Sequence, residues 1–348
     1  MRLNDYNSKS TDWRKQLREN ERRTKIVVAV FLGIFLLVGL LFDTFLGMGR
    51  YQASAWNIFQ ALLTFRIFPI ATCMMLVIAG VSLLVTYRLY DKIMLLGTNS
   101  HEVTPESTHT HEEKQLYNVV EEMKVAAGMK FMPKVYLIEA QYMNAFASGY
   151  SEKSAMVAIT RGLIQKLNRS ELQAVMAHEL THIRHHDIKL TLTVSVLSNI
   201  LLMAIDWLFY SMLFKGNSGQ NSRERSANKL FMIVMILRFT LPLITGMLTL
   251  FLSRTREYMA DSGAVQLMRD NSPLANALLK ISKDHTEHQS EYAREYGETA
   301  HESVRRASYI FDPAKFNGVN SFSGMFTTHP SLEKRLAALG FKTKKHTR

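Results

Sequence analysis

Hydrophobic and polar positions along the chain fall into two regimes. Four long apolar runs, about Ile26 to Met48, Ile67 to Tyr87, Ile188 to Phe214 and Leu230 to Leu252, are each long enough for the roughly 20 residues a helix needs to cross the hydrocarbon core of a bilayer. Elsewhere the pattern is shorter. Leu116, Val119, Val120 and Met123 recur at helical spacing over Glu112 to Ala127, and Gly128 is placed to end that helix. Lys134 to Ile138 and Met156 to Thr160 read as short strands. Ser170, with Gln173 three residues on, predicts a capping-box helix start; Glu257 to Met268 continues as helix, and Ser272-Pro273 offers another start. The polar stretch Asp284 to Ala307 predicts a surface helix or a mobile insertion. The expected organisation is a basic tail (1–25), two spans (26–87), a first soluble part (88–187), a transmembrane hairpin (188–252) and a second soluble part (253–348). The fold class is therefore membrane α-helical, with about four spans, combined with an α+β, mostly helical, soluble domain.

Charge sets the expected orientation. Eight Lys and Arg lie in the tail up to Lys25, against two, Arg50 and Arg66, in the first connecting loop; the positive-inside rule reads this as a cytoplasmic amino terminus. Two crossings later the first soluble part is cytoplasmic as well. Lys215, Arg223, Arg225 and Lys229 in the hairpin loop also fit a hairpin that enters the membrane only partly. The first run exceeds the roughly 7–15 residues of a secretory h-region and no small-residue cleavage site follows it, so it reads as an uncleaved anchor. The formal charge of +12 lies beside apolar runs and carries no nucleic-acid module, which argues against a nucleic-acid partner. A lone cysteine, Cys73, excludes an internal disulfide framework. Asp206 and Arg238 fall at similar depths in the two hairpin arms and are expected to pair, since isolated charges in lipid are costly.

The chemistry centres on His178-Glu179-Leu180-Thr181-His182. Residues four apart share a helix face, so both imidazoles can bind one zinc ion while Glu179 reaches the water on it. A catalytic zinc needs a third protein ligand and an open position. The metzincin continuation is excluded, because His185 and Ile188 stand where that pattern needs Gly and His. Glu257, after the hairpin has returned the chain to the side it left, supplies the ligand, and Asp261 one turn on would accept the spare N–H of a ligand histidine. The bland alternative is a polar, histidine-rich helix end, to which His185 and His186 lend weight, with Glu257 and Asp261 an exposed helical pair.

These residues, with Pro133 to Tyr136, Asn144 to Gly149, Asp187, Ser253 to Asp261, Thr328-His329-Pro330 and Arg335, resemble the HtpX family of membrane-embedded zinc endopeptidases, related to the CAAX prenyl endopeptidases. The resemblance implies a zincin-like metalloprotease domain with one zinc per chain, acting on damaged or misfolded membrane proteins from the cytoplasmic face of the inner cell membrane. It also implies that Asn144, Ala145, Phe146 and Ala147 form an edge strand to which substrate adds as an extended peptide. Without it that stretch reads as a turn. His329 and Arg335 are similar to residues near the reacting carbonyl, where they would stabilise an oxyanion; Asp187 joins Asp261 behind the ligands. The cluster His101, His109 and His111 is not explained by the resemblance and leaves accessory metal binding open. Two other functions fit the sequence less well. A prenyl-protein endopeptidase would be expected to have more spans, and a non-catalytic metal-binding scaffold or transporter would place its ligands at mid-membrane.

Overall fold

A computed structural model describes residues 6–8, 13–108, 110–149, 151–214, 222–298, 308–311 and 329–343. In chain order the elements are β1 (Tyr6–Ser8), α1 (Trp13–Tyr51), α2 (Ala55–Leu63), α3 (Ile70–Leu95), β2 (Ser100–Glu102), α4 (His111–Ala126), β3 (Lys134–Ile138), β4 (Ala145–Ser148) and β5 (Met156–Thr160). There follow α5 (Arg161–Lys166), α6 (Arg169–Arg184), α7 (Asp187–Phe214), α8 (Ser222–Met268), α9 (Ser272–Glu287), α10 (Gln289–Glu298), α11 (Leu332–Ala338) and β6 (Phe341–Thr343). The chain divides into two compact units, one of Lys25–Thr86 and Thr191–Phe251, the other of Met1–Thr24, Tyr87–Leu190 and Leu252–Arg348.

The first unit holds the apolar helices. Among the described residues four helical stretches, Arg18–Tyr51, Ile70–Leu89, Asp187–Phe214 and Lys229–Met268, are long and apolar enough to cross a membrane, and side chains such as Phe239 and Met247 are exposed on them, as lipid-facing residues are. Asp43, buried on α1, accepts hydrogen bonds from the Ala71 and Thr72 N–H groups (2.7 and 2.9 Å) and from Thr72 Oγ1 (2.7 Å), satisfying donors that the start of α3 leaves open. Trp207 stacks on Phe42 with ring centroids 4.7 Å apart. Arg238 Nε donates to Asp206 Oδ1 at 2.8 Å and Nη2 to the Tyr210 hydroxyl at 2.9 Å, so the two hairpin charges do meet. Between the first two spans the apolar stretch is not wholly loop: α2 forms there and buries Ile58 and Leu62.

The second unit is built on a four-stranded sheet of order β2-β3-β5-β4, in which β3 and β5 run parallel and β2 and β4 antiparallel to their neighbours. Strands β3 and β5 occupy the segments the sequence predicts. The edge strand β4 is pinned through Asn144, whose carbonyl accepts from the Thr160 N–H at 3.0 Å and whose N–H donates to Thr160 Oγ1 at 2.9 Å. Helices α4, α6 and α9 pack with the sheet in one core that includes Val119, Val135, Val157, Leu172, Val175 and Leu278. Ends β1 and β6 pair separately, antiparallel.

Two expectations need correction. Helix α6 opens at Asn168 and not Ser170: Asn168 Oδ1 accepts from the Glu171 N–H and Glu171 Oε2 from the Asn168 N–H, both at 2.9 Å, and Lys280 on α9 donates to the same Glu171 oxygen at 2.7 Å. The polar stretch after Asp284 is not a free surface helix over its described part. Asp284, His285, Tyr292 and Tyr296 are buried, because the tyrosines at i and i+4 of α10 turn inward onto Tyr142; residues 299–307 lie outside the described residues.

Candidate metal centre

Two helices make the centre. The capping box at Asn168 starts α6 so that His178 and His182, one turn apart, look inward, and α8 delivers Glu257 and Asp261 from the opposite side. The helices approach closely at Gly263, where a Cβ would sit 2.3 Å from Thr181 Cγ2. Only glycine fits this crossing, because Thr181 lies inside the motif and its hydroxyl is tied to the Ala177 carbonyl at 2.7 Å.

Each imidazole turns Nδ1 toward a carboxylate. His182 faces Asp187 Oδ2 at 2.7 Å, and His178 faces Asp261 Oδ1 at 3.1 Å, off the line of a good hydrogen bond. With the proton on Nδ1, each Nε2 presents a lone pair. The two Nε2 atoms are 3.2 Å apart, and the Glu257 carboxylate oxygens lie 3.5 Å from that of His182 and 3.8 Å from that of His178. Lone pairs and a carboxylate gathered within 4.8 Å repel one another and become favourable around a cation. Protonation is no easy escape, since burial pushes the His178 imidazole down to about 4. Among the described residues this is the only cluster of three such groups able to share a metal ion, so the donor set fits a divalent metal with two neutral nitrogens and one carboxylate.

Glu179 is buried beside these groups, and neither carboxylate oxygen has a hydrogen-bond partner of good geometry. Burial pushes its carboxyl up to about 7, opposed by the charges of His182 and Arg335 and by the Ala147 N–H. A carboxyl near neutrality is matched to taking and returning a proton. The Ala147 contribution also ties Glu179 to β4, where Asn144, Ala145, Phe146 and Ala147 are all buried.

His329 Nδ1 stands 3.2 Å from Glu257 Oε2. Arg335, on α11, spends Nε and Nη2 on the two oxygens of Asp261 (2.9 and 2.6 Å) and keeps Nη1 3.4 Å from Glu257 Oε2 and 2.8 Å from the Ile310 carbonyl, to which it donates. Asp187 is shared: its other oxygen pairs with Arg256 Nη2, which also donates to the His185 carbonyl at 2.8 Å. Sequence reasoning assigned no role to Arg256, although its place beside Glu257 was a signal. His101 lies 3.4 Å from Glu113 and 3.7 Å from Glu139, the carboxylates that Arg161 also faces. His111 opens α4, and His109 lies outside the described residues.

A centre with this donor set beside a buried carboxyl is suited to hydrolysing a peptide bond, and with four bilayer-length helices among the described residues the class it defines is a membrane metallopeptidase. Residues 110–341 match the model of Peptidase family M48, and the chain belongs to that family. It is similar to the protease HtpX homolog of Helicobacter pylori, 40% identical over 330 residues that cover 94% of this chain and 98% of the relative. The protease HtpX homolog of Limosilactobacillus fermentum is 31% identical over 328 residues, covering 93% and 98%. Among solved structures, the crystal structure of S. mikatae Ste24p aligns with a TM-score of 0.47 at 19% identity, covering 96% of this chain and 67% of that one. The chain is thus an integral membrane metallopeptidase, and its substrates are proteins.

Proposed function

We propose that the protein is a zinc endopeptidase with His178 Nε2, His182 Nε2 and the Glu257 carboxylate as ligands and Glu179 as general base, cleaving damaged or misfolded membrane proteins on the cytoplasmic side. The observation that carries this reading is the convergence of two imidazole lone pairs and a carboxylate beside a buried carboxyl held near neutrality. Bound zinc would polarise the scissile carbonyl and lower the pKa of a water. Glu179 takes that water's proton and passes it to the departing amine. Asp187 and Asp261 hold the imidazoles in the tautomer that leaves Nε2 free. The outward backbone groups of Ala145 and Ala147 take the substrate as an added strand, and His329 with Arg335 supplies positive or hydrogen-bonding character near the reacting carbonyl.

The test compares purified wild type with Glu179→Gln for bound zinc and for cleavage of an unfolded model protein. Both should carry about one zinc per chain, and only the wild type should cleave. Equal cleavage by Glu179→Gln would remove the assigned base, and zinc binding without cleavage by either would favour a scaffold.

A further inference from the structure

The proposed substrate edge already carries a peptide. Tyr309 forms an antiparallel bridge with Phe146, and the Ile310 N–H donates to the Ala145 carbonyl at 2.9 Å. One residue on, Asn144 acts as a clamp: its Nδ2 donates to the Phe311 carbonyl at 3.1 Å and its Oδ1 accepts from the Phe311 N–H at 3.4 Å. The Ile310 carbonyl accepts from Arg335 Nη1, the guanidinium nitrogen 3.4 Å from Glu257 Oε2. Side chains complete the seat, with Tyr309 edge-on to Phe146 (centroids 5.7 Å apart) and Phe311 over His285 (4.7 Å). Tyr296 ties the seat together, its hydroxyl lying 3.0 Å from Asn144 Nδ2 and 3.2 Å from His285 Nε2.

We infer that residues 308–311 are an internal occupant of the peptide-binding edge, competing there with substrate, and that the edge when vacated takes extended polypeptide bearing large apolar side chains. The inference rests on the proposed function in one respect, that substrate adds to β4. Three features distinguish the segment from an ordinary buried strand. It lies antiparallel to an edge strand, in the geometry of strand addition. It takes up the Asn144 side chain and the Ala145 carbonyl, which a substrate would need. It also presents a peptide carbonyl to Arg335, the group placed to hold a substrate carbonyl. Edge and segment cannot both be satisfied while a substrate lies on Ala145, so productive binding requires the segment to leave.

The test reads peptide binding separately from cleavage. A fluorescein-labelled peptide with the sequence of residues 306–313 is titrated, by anisotropy, onto zinc-loaded full-length Glu179→Gln and onto the same protein carrying Tyr309→Ala. The substitution removes the resident segment's aromatic anchor and leaves the peptide's own. If the edge is vacant about one tenth of the time in the parent, freeing it tightens apparent binding about tenfold, and kcat/KM rises similarly in a chain that keeps Glu179. Binding by Tyr309→Ala no tighter than the parent overturns the inference.

A second pair guards against a purely destabilising effect of Tyr309→Ala. Phe146 and Tyr309 are a non-hydrogen-bonded antiparallel pair, whose Cα atoms are typically about 4.5 Å apart, within disulfide range. In a Cys73→Ala background, Phe146→Cys with Tyr309→Cys should bind the peptide when reduced and lose binding when oxidised. Equal binding in both redox states overturns the inference. Failure of the protease reading looks different: no cleavage by wild type, with the redox-gated binding intact.

Discussion

At His186 the backbone takes φ +55°, a conformation uncommon for residues other than glycine. That one left-handed residue separates α6 from α7 and turns Asp187 back to face His182 at 2.7 Å. Arg256 neutralises the far side of Asp187, so the carboxylate is held between a guanidinium and the imidazole of His182. Such a partner orients the ring and raises its basicity as a ligand. Replacing Asp187 with Ala should lower metal affinity about 10–100-fold, read by competition with a chromophoric chelator, while Asp187→Asn, which still accepts through its amide oxygen, should lose less. Unchanged affinity in Asp187→Ala would mean that the ring is held by packing alone.

Helices and strands show which parts of the molecule local sequence could specify. Strands β3 and β5 were legible because their apolar runs are bounded by turn residues and buried within the sheet. The HExxH helix was legible too, but its start was not: Asn168 with Glu171 and Ser170 with Gln173 both satisfy the local pattern, and Lys280, more than a hundred residues away, ties Glu171 down. Strand β2, three residues with two of them exposed, has no apolar signal at all and exists because β3 offers it an edge. The two histidines of the candidate site could be read from spacing and Glu257 from its place after the hairpin, whereas the crossing that brings Glu257 to the histidines depends on Gly263 meeting Thr181, which no periodicity reveals. That contact makes a prediction. Gly263→Ala drives a methyl into Thr181, costing about 1–3 kcal/mol as an overpacked core does, and should weaken metal binding by moving Glu257 away from His178 and His182. Adding Thr181→Ala removes the obstructing atoms, so the double variant should recover both melting temperature and metal affinity relative to Gly263→Ala; additive losses would place the damage elsewhere.

For the molecule as a whole, the metal centre restricts the topology. The proposed ligands flank the α7–α8 hairpin, His178 and His182 before it and Glu257 after it, so the proposed function requires the chain to leave and return to one side of the bilayer. The eight basic residues up to Lys25 against two in the first loop predict that this side faces the cytoplasm. Single cysteines at three exposed positions, Lys153, Lys283 and Gln52, in a Cys73→Ala background test both parts with a membrane-impermeant maleimide. Lys153→Cys and Lys283→Cys should react together in inside-out vesicles and resist labelling in intact cells, with Gln52→Cys showing the opposite pattern. Reaction of all three as predicted but with the sides exchanged would leave the shared centre intact and reverse the orientation. Labelling of Lys153→Cys and Lys283→Cys from opposite sides is the more damaging result, because a chain that crosses the bilayer an odd number of times between His182 and Glu257 cannot assemble the centre at all.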